Sequence, residues 1–502
     1  MVTSSPNISS TKTLGFRGYS LVKKEWSDEI LNKCRKDLIV SPFIPGEYGM
    51  NVPQFPVYLE SKTRLYLPRY YGICNFGEPN KYTIPPSNNI SVNFKGKLRE
   101  IQITAVNKFM ETCDNGSWEN NSHGGILSLY PGAGKTVIAL YILAKLGVKT
   151  IIIVHKSFLM HQWLERIKTF IPNAKVGIIQ QKKIEIENCD ISIAMLQSLS
   201  MKKYPRNTFT SFGFCIYDEC HHLGAACFSK TLSKLGCKYT LGLSATPKRI
   251  DGLSKVFAWW LGPVLYKIEK RDNIKVNAYQ LYINDDNISY SKEELTKFGK
   301  ICMARMINNI CKYKPRTDII IHLLRQLVKE NGRTILVLSG RREHLKDIYT
   351  QGLDKNIGTI GFYVGGMKQE ELKKSEKKQI ILGTYTMASE GLDIKALNTI
   401  VFASPMSNVV QAVGRILRAK HNVTPEIYDF VDNFSCFINQ GIKRRRYYLR
   451  ENYQFKTLRV DNKDETFLKL KSIHDIRVNC DLYQSNKRNK TTKKRNNKCL
   501  FI

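Results

Sequence analysis

Ten short apolar runs, in two sets of five, constrain this chain more than any other feature. The first set is GILSL (125–129), TIIIV (150–154), ISIAM (191–195), FGFCIY (212–217) and TLGLS (240–244). The second is TILVL (334–338), TIGFYV (359–364), QIILGT (379–384), NTIVFA (398–403) and EIYDFV (426–431). The runs are continuous rather than alternating, which predicts strands buried on both faces. Helical stretches separate them, and strand taking turns with helix predicts parallel sheets covered by helices. The expected fold class is α/β, with two tandem parallel-sheet domains of similar size.

Smaller pieces surround these domains. Residues 1–13 are rich in Ser, Thr and Asn and are expected to be disordered. Residues 14–93 carry many aromatics and prolines and are expected to form a small accessory domain of short strands that meets nucleic acid. The first α/β domain is assigned 97–268, a connector with entry helices 269–330, the second α/β domain 331–455, and a basic extension 456–502. Lys487 to Lys498 holds seven basic residues and no acid. It reads as a disordered nucleic-acid arm, a nuclear address or a solvated tail.

Net charge is +35 over 502 residues. That excess points to a polyanion, with nucleic acid the default partner, although a lysine-rich proteome gives the same composition. The 13 cysteines include no CxxC pair, which predicts reduced thiols rather than a disulfide framework. Cys220, His221, His222 and Cys227 fit no standard zinc spacing. The opening MVTSSPNISSTKT lacks the apolar centre of a signal peptide, and no apolar run approaches the ~18 residues of a membrane span. A soluble, intracellular protein with no membrane partner is expected.

Three motifs carry chemistry. GILSL leads through YPGAGK into TVIALYILAKLG, a strand–loop–helix closed by Gly147. Gly132, Ala133 and Gly134 would let backbone N–H groups approach phosphate at a helix N-terminus. Lys135 would reach the β- and γ-phosphates, and Thr136 would offer a hydroxyl to Mg²⁺. Leu129, however, stands where the strict GxxxxGK[ST] pattern has its first glycine. The second motif is FCIYDECHH. Asp218 and Glu219 follow a buried strand at its carboxyl end, where α/β sheets place ligand chemistry. They would supply a carboxylate for Mg²⁺ and a base to orient the attacking water. Arg415 and Arg418, at i and i+3 in QAVGRILR, would share a helix face and stabilise charge on the γ-phosphoryl oxygens.

On these residues the chain resembles the DExH-type helicases of superfamily 2, from about Lys97 to Lys443. Those helicases commonly replace the first phosphate-loop glycine, so Leu129 is ordinary among them. LREIQ (98–102) resembles their adenine-side motif, which implies that Gln102 contacts the base. VHKSFLMHQW (154–163), MLQSLS (195–200) and LSATPKRIDG (243–252) resemble further motifs of the first domain. The resemblance implies that His221, Ser244, Ala245 and Thr246 couple hydrolysis to the nucleic-acid cleft. ILVLSGRREHL (335–345), GTYTMASEGLDI (383–394) and QAVGRILR (411–418) resemble motifs of the second domain, implying nucleotide contacts from Gly391 and Asp393 and a catalytic role for Gln411 beside the two arginines.

DECHH with SATP is nearer to the DNA-translocating branch than to the DEAD-type RNA branch. That branch includes a transcription-and-repair-factor helicase, phage branch-migration helicases and a poxvirus transcript-release helicase. ESKTRLYLPRYYG, GFYVGGMKQEEL and the stretch 427–453 resemble proteins of large DNA viruses. The resemblance implies two RecA-like domains, ATP and Mg²⁺ as cofactors, and DNA or an RNA–DNA hybrid as track. It also implies a monomer, transcription machinery as a partner, and a place in host cytoplasm, nucleus or virion. Two other readings stay open at this point: an RNA helicase on the same core, and a packaging protein with a silent ATP site. The unbroken set Lys135, Asp218, Glu219, Arg415 and Arg418 argues against silence. A motor-nuclease lacks any nuclease constellation. For nucleic acid itself, Arg69, Arg444 and Arg445 are candidates, with Tyr70 and Tyr71 read either as base-stacking groups or as core.

Overall fold

The computed structural model describes residues 11–43, 53–113, 123–205, 207–249, 251–268, 274–390, 392, 394–419, 421–461 and 466–482. The chain divides into two units, Met1–Asn273 and Ile274–Ile502.

In the first unit, an eight-stranded sheet runs from edge to edge as Lys183–Ile184, Val176–Gln180, Ile191–Met195, Thr150–Val154, Phe214–Asp218, Tyr239–Ser244, Gly124–Leu129 and Val264–Ile268. All neighbours are parallel except the first pair. All five expected strands of this domain are present, and their side chains alternate between two cores. Ile152, Val154, Phe214 and Ile216 face helices Glu100–Met110, Lys135–Leu146 and Ser157–Phe170. Ile151, Ile153, Cys215 and Tyr217 face the other way. Burial on both faces is what continuous apolar runs encode.

That second face is covered by the N-terminal region. A five-stranded sheet, Leu59–Glu60, Arg64–Leu67, Gly18–Val22, Lys12–Gly15 and Lys81–Thr83, contributes Leu14, Tyr19, Leu21, Leu65 and Leu67 to the same core as Ile151 and Tyr217. Helix Arg69–Phe76 joins them, with Tyr71 edge-on to Trp259 at 5.5 Å. Residues 14–93 therefore do not form a core of their own. The expected disorder of 1–13 is also corrected at its end, since Lys12 and Thr13 lie in a strand; residues 1–10 lie outside the described residues.

The second unit has its own eight-stranded sheet: Ile360–Tyr363, Ile380–Thr384, Ile335–Ser339, Thr399–Phe402, Glu426–Asp432, Asn277–Asn284, Gln454–Asp461 and Asp481–Leu482. Only the last pair is antiparallel. Two expectations fail here. The supposed connector 269–330 holds a central strand, Asn277–Asn284, and helices Met303–Lys312 and Lys314–Leu327, whose Met306, Ile320 and Leu324 belong to the core. The supposed extension from 456 onward holds most of the strand Gln454–Asp461 and buries Phe467, Ile473 and Ile476 in the same core. The basic run 487–498 lies outside the described residues.

Two buried arginines fix this unit. Arg316 is fully buried, with Nε donating to Asp432 Oδ1 at 2.6 Å and Nη1 to the Ala403 carbonyl at 2.5 Å. Arg444 donates Nε to both Asp429 oxygens at 2.9 Å. Asp429 also accepts from Gln280 at 2.9 Å and Tyr448 at 3.1 Å. Each buried charge thus has an opposite charge and further hydrogen bonds, the condition under which burial of ions is tolerated.

Candidate functional site

Strand Gly124–Leu129 releases the chain into a loop that turns at Gly132 (φ +88°) and Gly134 (φ +89°) and enters helix Lys135–Leu146. A Cβ at position 134 would lie 2.2 Å from Gln102 Nε2. Only glycine meets both the left-handed φ and the close approach. The helix closes on Gly147 in the left-handed conformation (φ +61°), as the sequence predicts.

The loop is held from outside. Gln102 is buried, donates to the Ala133 carbonyl at 3.0 Å and accepts from the Arg99 amide at 2.9 Å. Arg99 Nη2 reaches the same carbonyl at 2.5 Å. The role visible for Gln102 is thus to brace the phosphate loop. Arg99 does so too, and its place in LREIQ was the signal for it.

Strand Phe214–Asp218 lies one strand away from the loop strand, with Tyr239–Ser244 between them. Its carboxyl end carries the acidic pair. Glu219 takes the left-handed conformation (φ +48°, ψ +52°), sparsely populated for a side-chain-bearing residue. That twist brings its Oε1 to 3.0 Å from Lys135 Nζ and its Oε2 to 3.4 Å from His221 Nδ1. Asp218 accepts from Trp163 Nε1 at 2.9 Å and from the Glu219 amide at 3.0 Å. Trp163 is buried, and sequence reasoning missed it because its indole looks like ordinary core.

The two carboxylates are electrostatically unlike. Burial raises the pKa of Asp218, and the Glu219 charge raises it further. Burial also works against the charge on Glu219, but Lys135 and His221 outweigh it and hold that carboxyl below its ordinary value. A carboxylate lifted by burial and a like charge, next to one kept ionised, is the donor set that a divalent cation would relieve. Thr136 sits in the first turn of the same loop helix and is half-buried.

His221 Nδ1 also lies 3.0 Å from Ser244 Oγ, which accepts from the Thr246 amide at 3.1 Å. Ser244 is buried, Ala245 and Thr246 half-buried. The acidic motif and the Ser-Ala-Thr segment are thereby joined by one hydrogen-bonded chain. Arg249 extends it, donating to the His221 carbonyl at 2.6 Å and to Asp251 Oδ1 at 2.9 Å.

In the second unit the picture differs from expectation. Helix Val410–Val413 ends before Arg415, so Arg415 and Arg418 do not share a helix face. Arg415 is buried and donates to the carbonyls of Ala388 at 2.6 Å and Leu392 at 2.7 Å. Arg418 and Gln411 are half-buried. Gly391 and Asp393 lie outside the described residues.

The nucleic-acid candidates are corrected most. Arg69 is buried and donates to the carbonyls of Lys238 at 2.9 Å and Cys237 at 2.5 Å. Arg444 is 2% exposed and bound to Asp429. Neither side chain is available to a phosphate; both are structural. Tyr70 and Tyr71 are core. Arg445 is half-buried beside Tyr282.

A glycine-turned strand–loop–helix whose lysine faces a carboxylate is the arrangement of the phosphate-loop nucleoside triphosphatases. The family described as "Type III restriction enzyme, res subunit" matches residues 95–249, and the "Helicase conserved C-terminal domain" matches residues 317–420. A protein of Acanthamoeba polyphaga mimivirus named as an ATP-dependent RNA helicase is 35% identical over 458 residues, covering 88% of this chain and 85% of its own. A protein of Invertebrate iridescent virus 6 named as a helicase is 27% identical over 368 residues, covering 68% and 79%. In fold, the chain is similar to Saccharomyces cerevisiae Dbp5 bound to RNA and ADP BeF3, with a TM-score of 0.50, 13% identity, and 74% of this chain and 92% of that one covered. It is also similar to the restriction-modification enzyme LlaBIII bound to DNA, with a TM-score of 0.51, 17% identity, and coverage of 75% and 32%. The chain belongs to the superfamily 2 helicases, in the form carried by large DNA viruses. It is an ATP-hydrolysing enzyme with two RecA-like domains, and it binds nucleic acid. Among the described residues no helix is long and apolar enough to cross a membrane.

Proposed function

We propose that this helicase uses Mg·ATP to move along DNA or an RNA–DNA hybrid in transcript release or repair. The observation that carries the nucleotide half is the Lys135–Glu219 pair beside Asp218. Thr136 and Asp218 would hold Mg²⁺, which supplies charge neutralisation at the phosphates. Glu219, kept ionised by Lys135 and His221, is the group fitted to accept a proton from the attacking water. The loop amides and Lys135 bind the phosphates, and the His221–Ser244 bond links the base to the Ser-Ala-Thr segment. Arg418 is the proposed arginine finger, with Arg415 positioning the segment around it. Gln411, Gly391 and Asp393 keep the proposed catalytic and nucleotide roles that the motif resemblance implies, and Arg445 stays a nucleic-acid candidate.

DNA is favoured by the DECHH and SATP motifs and by the restriction-enzyme family that matches the first domain. A second reading, an RNA track, is favoured by the name of the mimivirus relative. Comparing ATPase stimulation by single-stranded DNA, duplex DNA, hybrid and RNA separates the two. Monomeric action and a transcription-machinery partner belong to the same proposal, as does a site of action in host cytoplasm, nucleus or virion.

A further inference from the structure

In the second unit, helix Ile288–Ser291, which follows strand Asn277–Asn284, leads into a turn that leaves an aromatic ring in water. Leu295 and Ile301 pair as an antiparallel bridge. The Cys302 amide donates to the Glu294 carbonyl at 2.6 Å, the Thr296 amide to the Lys300 carbonyl at 2.7 Å, and the Gly299 amide to the Thr296 carbonyl at 3.0 Å. Gly299, at φ +71° with open space around it, makes the reversal. Arg305 Nη1 donates to the Leu295 carbonyl at 3.4 Å. The turn is therefore closed by its own backbone, so its tip is preformed.

Phe298 stands at that tip, 86% exposed, with Leu295 and Ile301 half in water below it. Lys297, Phe298, Gly299 and Lys300 are all exposed, and the tip Thr296–Lys300 holds two lysines and no acid. The nearby Glu294 lies 3.9 Å from both Lys292 and Arg305, and the exposed Glu293 precedes it. The turn comes after helix Ile288–Ser291, and Arg341, just beyond the carboxyl end of strand Ile335–Ser339, anchors the helix that follows the turn through the Ala304 carbonyl at 3.0 Å.

An exposed aromatic between two lysines has the chemistry of a base-stacking platform: the ring takes a base face, and the ammonium groups take the flanking phosphates. We infer that Phe298 is a nucleic-acid contact that stacks on an unpaired base, with Lys297 and Lys300 on the adjoining backbone. This inference rests on the helicase reading and adds to it a residue that would part or hold strands.

The test uses the full chain with tailed DNA and RNA duplexes carrying 2-aminopurine along the unpaired strand. Wild type should quench the probe at one register. Phe298→Ala should lose that quench and weaken strand affinity on the order of tenfold, the scale of one lost stack. Phe298→Trp should restore both. Strand separation by Phe298→Ala should fall, and its ATPase should need on the order of tenfold more strand for half-saturation. A quench confined to DNA or to RNA would identify the strand that stacks. Quenching, affinity and strand separation in Phe298→Ala equal to wild type would overturn the inference and leave the helicase reading intact. Absence of any strand-stimulated ATPase in wild type would overturn both.

Discussion

The Lys135 ammonium and the Glu219 carboxylate meet at 3.0 Å, although 84 residues separate them in the chain. In the proposed mechanism the pair joins the group that binds phosphate to the group that activates water. Lys135→Ala should therefore abolish nucleotide binding and turnover together. Glu219→Gln should bind ATP normally and turn over ~10²–10⁴-fold more slowly, the cost of losing a positioned base. Fluorescent-nucleotide titration beside a phosphate-release assay checks both variants; a Gln variant above about a tenth of the normal rate would remove Glu219 from that role, given that scale.

Arg418 and Arg415 should part company. Arg415 bridges the carbonyls of Ala388 and Leu392, which a lysine cannot reproduce with one nitrogen. Arg415→Lys should lower the melting temperature as well as the turnover. Arg418→Lys should keep the melting temperature, nucleotide affinity and strand affinity, yet lose ~10³-fold or more in turnover, as arginine fingers do. Differential scanning fluorimetry run beside steady-state ATPase separates the two patterns. Near-full stimulated turnover in Arg418→Lys would remove it from the site.

Arg444 belongs to stability, not to binding. Truncation to Ala would strand Asp429 in the core, at a cost of about 3–5 kcal/mol for a broken buried pair. Urea unfolding should register that loss, while the folded fraction keeps its strand affinity. A stable Arg444→Ala protein with weakened strand binding would reverse this assignment.

The carboxyl end of the second sheet also carries an acid-sensitive residue. His344 is buried between Ser339 Oγ, 3.1 Å from Nδ1, and Thr317 Oγ1, 3.5 Å from Nε2. Burial, helped by the Arg316 charge, pushes its pKa down to about 3. The unfolded chain, with a histidine pKa of ~6.5, takes the proton first as pH falls. The stability tied to neutral His344 is whole above ~6.5 and falls by about 1.4 kcal/mol per pH unit toward the folded value. Denaturant midpoints at pH 7 and pH 5 should differ less in His344→Gln than in wild type. Equal differences would show that His344 does not carry the acid sensitivity.

Periodicity revealed the strands built on continuous, mainly apolar runs and missed two others. Asn277–Asn284 interrupts its apolar pattern with Gln280, which is nevertheless fully buried because it bonds Asp429 from a strand 149 residues away. Gln454–Asp461 alternates Lys456 and Arg459 with buried Phe455 and Val460, so it reads as a basic tail until its partner strand is known. The acidic motif and the phosphate loop were legible because local backbone geometry dictates their residues. Arg69 and Arg444 were misread because an arginine in a basic stretch looks the same whether it faces water or a buried carbonyl or carboxylate. Only tertiary partners distinguish the two.

The central claim is that ATP turnover at Lys135 and Glu219 is driven by a nucleic-acid strand. The most direct measurement is the ATPase rate of the full chain against rising single-stranded DNA, hybrid and RNA, at low and moderate salt, with Glu219→Gln in parallel. The rate should rise with at least one strand, the half-saturating concentration should increase with salt as phosphate contacts are screened, and the variant should stay flat. A wild-type rate indifferent to every strand at low salt would contradict the account.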